Sequence, residues 1–161
     1  MTALPDIEIR DATAEDAEPA CAVLRSSIAE LCILDHRNDP TVLAHWLRNK
    51  TPANVAAWAS QPGNSLLLAV KKQIILAVGA VTDGGEITLN YVSPRVRFRG
   101  VSRALLAALE ARAIERGNKV CTLNSSVTAR RFYRSAGYVE TGPPIEMFGT
   151  ASYPMIKPVK P

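Results

Sequence analysis

The sequence predicts an α+β, or mixed α/β, domain built around one sheet, and three observations carry that expectation. A helical stretch ends at Gln61-Pro62-Gly63-Asn64, and β-rich runs then fill Ser65 to Ser93. From Gly100 onward, helical and strand patterns alternate. Finally, 161 residues with 47% hydrophobic and 21% charged side chains are enough for one buried core.

Each element has a local signal. Ile7-Glu8-Ile9-Arg10 alternates as a short strand. Thr13 and Asp16 have capping-box spacing. Ala17, Cys21, Leu24, Ile28 and Leu31 then form one apolar helical face. The polar segment Asp35 to Asp39 breaks that helix, and Pro40 opens another through Leu43, Trp46 and Leu47. Thr51-Pro52 starts a short helix through Val55 and Trp58.

Ser65 to Lys71 and Ile74 to Thr82 read as strands joined by a polar turn at Lys72-Gln73. Asp83-Gly84-Gly85 is a hairpin signal leading into a strand from Glu86 to Ser93. Gly100 to Arg116 is helical, with Val101, Leu105, Ala108 and Leu109 inward and Gly117 as its stop. A strand at Lys119 to Asn124 follows, then a helix from Val127 to Ala136 capped by Ser126. Tyr138 to Thr141 and Tyr153 to Lys157 complete the sheet, the latter placed at an edge because of Pro154. The domain is expected to span residues 7–161.

Charge is uneven. The net charge is +4, and the window 95–103 holds Arg95, Arg97, Arg99 and Arg103 with no acidic residue. This is a local anion site at a helix start, where free N–H groups and the positive dipole end converge. It is not the broad basic surface of a nucleic-acid binder. No apolar run reaches the roughly 20 residues that span a bilayer, and no secretory leader pattern precedes Ile9. Cys21, Cys32 and Cys121 are odd in number and widely spaced, as expected of reduced thiols in a cytoplasmic protein. Two histidines, His36 and His45, are too few for a histidine-based metal site.

Two motifs stand in sequence order. Arg97-Phe98-Arg99-Gly100-Val101-Ser102 resembles the coenzyme A pyrophosphate motif of the GNAT superfamily of N-acyltransferases, Arg/Gln-x-x-Gly-x-Gly/Ala. Phe98 stands where that family usually has glycine, and Ser102 replaces its last small residue. Ser126 to Tyr138 resembles the same family's Asn/Ser-x-x-Ala-x-x-Phe-Tyr-x-x-x-Gly-Phe/Tyr pattern. The resemblance extends to the element order along about residues 7–160.

The resemblance implies a central, mostly antiparallel twisted sheet flanked by helices, with the fourth and fifth strands splayed apart. It further implies acetyl-CoA as co-substrate, no metal, and acetyl transfer to a primary amine of a small molecule or peptide by direct attack in a ternary complex. The alternative it leaves is a catalytically weak acyl-CoA-binding sensor or partner-binding module. A homodimer also fits the family, whereas nucleic-acid and membrane partners are not expected.

Residue by residue, the pyrophosphate would lie on Arg97, Phe98, Arg99, Gly100, Val101, Ser102 and Arg103, with Ser126 also contacting the cofactor. Val92 would offer its backbone to pantetheine and the thioester carbonyl. Tyr133 would protonate the departing thiolate. Glu86 has the family's spacing for a general base, six residues before Val92, and alternation places it on one strand face with Thr88, Asn90 and Val92. Asn90 would orient water or substrate. Glu30 and His36, with Asp35, Asp39 and Trp46 nearby, would meet the acceptor from the connection between the first helices. Cys121 reads as a buried small hydrophobe.

Replacing Arg97 and Arg99 together by alanine is expected to weaken coenzyme A binding. Titration calorimetry giving an unchanged Kd would remove the pyrophosphate assignment.

Overall fold

A computed structural model of the chain describes residues 6–96 and 100–161, so the expectations on Arg97, Phe98 and Arg99 lie outside the described residues. The chain begins with β1 (Glu8–Asp11) and a helical series, α1 (Ala17–Leu31), α2 (Ile33–His36), α3 (Pro40–Leu47) and α4 (Pro52–Ser60). Three strands follow, β2 (Asn64–Lys71), β3 (Ile74–Thr82) and β4 (Glu86–Val92). Then come α5 (Val101–Glu115), β5 (Val120–Ser125), α6 (Arg130–Ser135), β6 (Val139–Glu140), β7 (Ile145–Met147) and β8 (Thr150–Pro158).

The sheet order is β1-β2-β3-β4-β5-β8-β6, with β7 hairpinned onto β8. Among the described pairings every one is antiparallel except β4–β5. The element pattern predicted a mixed domain with one sheet, and the family resemblance implied that the sheet is mostly antiparallel; both hold.

Helices cover both faces of the sheet, which is why β2 and β3 are buried almost continuously instead of alternating. On one face α5 packs Leu105 and Leu109 against Leu67, Ala69, Val81 and Ile87. On the other, α1 and α4 supply Cys21, Leu24 and Val55 against Leu66, Leu68, Val78 and Ala80. The expected helix starts at Pro40 and Thr51 form. Thr51 accepts from Asn54 N–H at 3.2 Å, and Asp39, which the sequence pattern places only in the break, accepts from the N–H groups of Thr41 and Val42. The α5 stop also holds: Gly117 has φ 88°, and Asn118 N–H reaches back to Ala113 O at 3.0 Å.

Three sequence expectations shift. α6 starts at Arg130 rather than Val127, because residues 127–129 form a turn held from outside the helix. Ile33 to His36 closes into a helical turn within the expected break. The last strand is longer than expected and lies between β5 and β6, not at the edge. Its proline is tolerated because Pro154 O accepts from Thr141 N–H at 3.0 Å, just past the end of β6. On that side no further ladder N–H is required of residue 154. The hairpin joining β7 to β8 escaped the sequence because its two-residue turn is Phe148-Gly149, with φ of 56° and 78°, and not an asparagine–glycine pair.

Gly79 lets α5 approach β3. A Cβ there would stand 2.8 Å from Leu109 Cδ1 and 3.1 Å from Leu105 Cδ2. Gly79→Val is therefore expected to lower stability by about 1–3 kcal/mol through overpacking, read as a lower midpoint in urea. An unchanged midpoint would show that α5 is free to move outward.

Candidate active site

The site begins with a register shift in β4. Ala80 pairs with Leu89, yet the next residue of β3, Val81, pairs with Ile87, so Thr88 is an extra residue bulged out of the ladder. The bulge inverts the alternation on either side of it. Ile87 lies on the α5 face with Val81, while Asn90 and Val92 share that face with Gly79 and Ala77. Glu86, next to Ile87, is thereby turned to the opposite face. The expectation that Glu86 shares a face with Asn90 and Val92 is corrected on this ground.

The same strand then leaves its neighbour. β4 and β5 are in register only at Glu86–Thr122 and Ile87–Leu123. Further along, the two strands part. Ser93 N–H donates to Leu76 O on β3 at 2.7 Å. By antiparallel alternation, the N–H and C=O of Val92 face away from β3, into the gap.

A cavity of about 480 Å³ opens at this parting. Of the sequence-predicted residues, Trp46, Glu86, Asn90, Ser126 and Tyr133 line it. Asn90 Nδ2 donates to Tyr133 Oη at 3.2 Å, joining β4 to α6 across the gap. Tyr133 is only 7% exposed, and burial pushes its phenol up to about 12, the Asn90 bond opposing this in part. The ring is wedged edge-on between Phe132 and Tyr138, with centroids 5.2 and 5.6 Å away. Tyr133 therefore holds its proton at neutral pH and is fixed in place. Glu86 is exposed at the cavity rim.

The turn before α6 is tied down from the far side of the sequence. Ser126 Oγ accepts from Ala129 N–H at 3.2 Å. The Asp35 carboxylate accepts from Val127 N–H at 2.7 Å, from Thr128 N–H at 3.2 Å and from the Thr128 hydroxyl. With its oxygens so engaged, Asp35 is committed to holding this turn. No local pattern reveals this, since the partners are 92 and 93 residues apart.

Nearby, α5 opens at Gly100 with φ 77°, and its first intrahelical bond runs from Ala104 N–H to Gly100 O. The N–H groups of Val101, Ser102 and Arg103 precede that bond, so they have no acceptor within the helix. Arg103 is partly committed: its guanidinium donates to Ser135 Oγ at 2.7 Å and lies 5.7 Å above the Phe132 ring.

Other expected contacts are not brought together. Glu30 is exposed and Glu30 and His36 are both absent from the cavity wall. His36 is 1% exposed; its Nε2 donates to Ile28 O at 2.9 Å and its Nδ1 accepts from Asn38 N–H at 3.0 Å. Both ring nitrogens are thus occupied, and the ring packs edge-on against Trp46. Cys121 is fully buried in the core and away from the cavity, and burial raises its thiol.

The wall opposite β4 contains a residue that sequence reading missed. Lys50 lines the cavity at 3% exposure, with Nζ 2.8 Å from Asn49 Oδ1, 3.5 Å from Trp46 O and 5.0 Å above the Phe148 ring. Burial without a carboxylate partner among the described residues pushes its ammonium down to about 8. Trp46 stacks on Phe148 at 6.4 Å, and Trp58 adds a further aromatic wall. A lysine in the connection between α3 and α4 gave no signal, because its ammonium packs on the distant Phe148.

Comparison with known proteins agrees with this geometry. An acetyltransferase (GNAT) domain model matches residues 35–159. A GCN5-related N-acetyltransferase from Rhodopseudomonas palustris superposes with a TM-score of 0.87 at 25% identity, covering 99% of both chains. The PaiA N-acetyltransferase of Thermoplasma acidophilum, in complex with coenzyme A, gives 0.80 at 18% identity, covering 95% of this chain and 99% of that one. Salmonella typhimurium yncA with acetyl-CoA gives 0.72 at 19% identity, with 96% and 95% covered. No curated protein sequence matches the chain. The parted sheet and the helix end beside it define an acetyltransferase-type fold. The chain belongs to the GNAT acetyltransferase domain family. Among the described residues no helix is long and apolar enough to cross a membrane.

Lys50 also sets a pH dependence. Its folded form titrates near 8, below the ordinary lysine value of 10.5, so the unfolded chain binds the extra proton between these values. Stability rises with pH across that window, and the full penalty is present below pH 8. Lys50→Met is expected to raise stability at pH 7 by on the order of 2 kcal/mol, with the gain shrinking as pH approaches 10.5. Thermal unfolding at several pH values measures this; a destabilised variant at pH 7 would contradict it.

Proposed function

We propose that residues 7–161 act as one N-acetyltransferase domain, transferring an acetyl group from acetyl-CoA to a primary amine of a small molecule or peptide in a ternary complex. The observation that carries the reading is the Asn90–Tyr133 bond, which sets a protonated phenol across the gap between β4 and β5. The coenzyme A in the PaiA relative and the acetyl-CoA in the yncA relative support the choice of co-substrate.

The residues present suit that co-substrate. The N–H groups of Val101, Ser102 and Arg103 at the α5 start suit a pyrophosphate, with Arg97, Phe98, Arg99 and Gly100 as the sequence-derived part of the cradle. The inward backbone of Val92 suits an extended pantetheine arm, and Ser126 lines the path beside it. When bound, acetyl-CoA supplies an acyl group activated as a thioester.

Val92 N–H donates to the thioester carbonyl oxygen, where negative charge grows during attack. As the N–C bond forms and the C–S bond breaks, Tyr133 Oη gives its proton to the leaving sulfur. Asn90 keeps Oη aimed by donating to it. Glu86, at the rim, takes the surplus amine proton through water. Much of the acceleration comes from holding amine and thioester in line inside a walled cavity.

Tyr133→Phe is expected to lower kcat by about 10²-fold or more while leaving the Kd for acetyl-CoA within about threefold. A thiol-release assay paired with calorimetry reads both quantities. Turnover equal to that of the unaltered protein would remove Tyr133 as the acid.

A further inference from the structure

Among the described residues, Lys50 is the buried charged group in the cavity that the acetyl-transfer steps leave unused. Among the described lining residues it and Glu86 are the charged ones. Glu86 is exposed at the start of β4, on the strand face opposite Asn90. Lys50 stands on the part of the wall that Trp46 and Phe148 also form.

The ammonium is poorly satisfied as it stands. Its three N–H donors meet one good acceptor, Asn49 Oδ1 at 2.8 Å, and one at the limit, Trp46 O at 3.5 Å. The Phe148 ring at 5.0 Å offers a weaker cation–π contact. All three of these residues line the same cavity as Lys50 itself. The lysine's own carbonyl points the other way, accepting from Cys21 Sγ and Arg25 Nη1. A buried cation in this state favours an anionic partner that brings acceptor oxygens.

We infer that Lys50 is the specificity residue of the acceptor site, and that it binds a carboxylate on the amine substrate. This deepens the acetyltransferase reading and rests on it for the chemistry at the amine. The acceptor is then an amino acid, or a peptide short enough to bring its carboxylate to Lys50. Its amine lies by Asn90 and Tyr133, its carboxylate lies on Lys50, and an apolar side chain lies along Trp46, Phe148 and Trp58. Polyamines and aminoglycosides would place a second cation against Lys50 and are disfavoured by like-charge repulsion.

The test compares L-phenylalanine, L-phenylalaninamide and spermidine as acceptors in a thiol-release assay with acetyl-CoA. In parallel, the binding of N-acetyl-L-phenylalanine is measured by calorimetry, which needs no turnover. Each is run on the unaltered protein, Lys50→Met and Lys50→Arg, with thermal unfolding as the folding control. Phenylalanine is expected to exceed its amide at least tenfold in kcat/KM, mainly through KM. Lys50→Met removes that preference and weakens N-acetylphenylalanine binding at least tenfold, and Lys50→Arg keeps part of both.

Amide or spermidine used as well as the acid, or a preference that survives Lys50→Met, overturns the inference. If spermidine releases thiol and the acid shows no dependence on Lys50, the carboxylate site falls and acetyl transfer stands. If no amine releases thiol but N-acetylphenylalanine binds in a Lys50-dependent way, acetyl transfer falls and the carboxylate site stands. If neither occurs, both fall.

Discussion

The parting of β4 from β5 is the constraint on which the rest of the molecule depends. Two residue pairs hold the strands together, and Thr122 N–H extends the contact by donating to Gly85 O at 3.0 Å. Gly85 is needed at that point for two reasons: its φ is +86°, and a Cβ would stand 2.6 Å from Val120 O. Past Ile87 the bulge at Thr88 bends β4 and strengthens its twist, so the two strands diverge instead of zipping onward. An open interior edge exposes backbone donors that ordinary sheets satisfy by pairing. In this fold the exposed donors, Val92 N–H among them, are available to a ligand.

Around this gap the two halves of the chain are locked together by polar bonds whose partners lie far apart in sequence. Asp35 pins the turn before α6 from the helical half, and Asn90 reaches Tyr133 from the sheet. These bonds make the placement of the phenol a property of the whole fold and not of α6, which is only six residues long. Such pre-placement suits the acid role proposed for Tyr133, since alignment is lost when an acid is loosely held.

The helical wall shows the opposite balance. Lys50 sits at 3% exposure beside Trp46 and Phe148, where an apolar residue would pack at lower cost. A residue that opposes stability inside a cavity is the pattern expected of function. His36 and Asp35 came from the same polar stretch but went elsewhere, one into the core and one onto a backbone turn.

What the sequence by itself determined was local. The helix start at Pro40, the cap at Thr51, the stop at Gly117, the hairpin at Asp83-Gly84-Gly85 and the Phe-Tyr helix were legible because each depends on neighbouring residues. The family resemblance was legible for the same reason, resting on two short contiguous motifs. Tertiary structure alone decided that Glu86 leaves the face of Asn90, because one bulged residue reverses strand alternation without altering composition. It also decided that His36 is spent in the core, that Asp35 caps a turn 92 residues away, and that Lys50 faces the cavity. These follow from which surfaces meet on folding, a long-range outcome that periodicity along one segment does not encode.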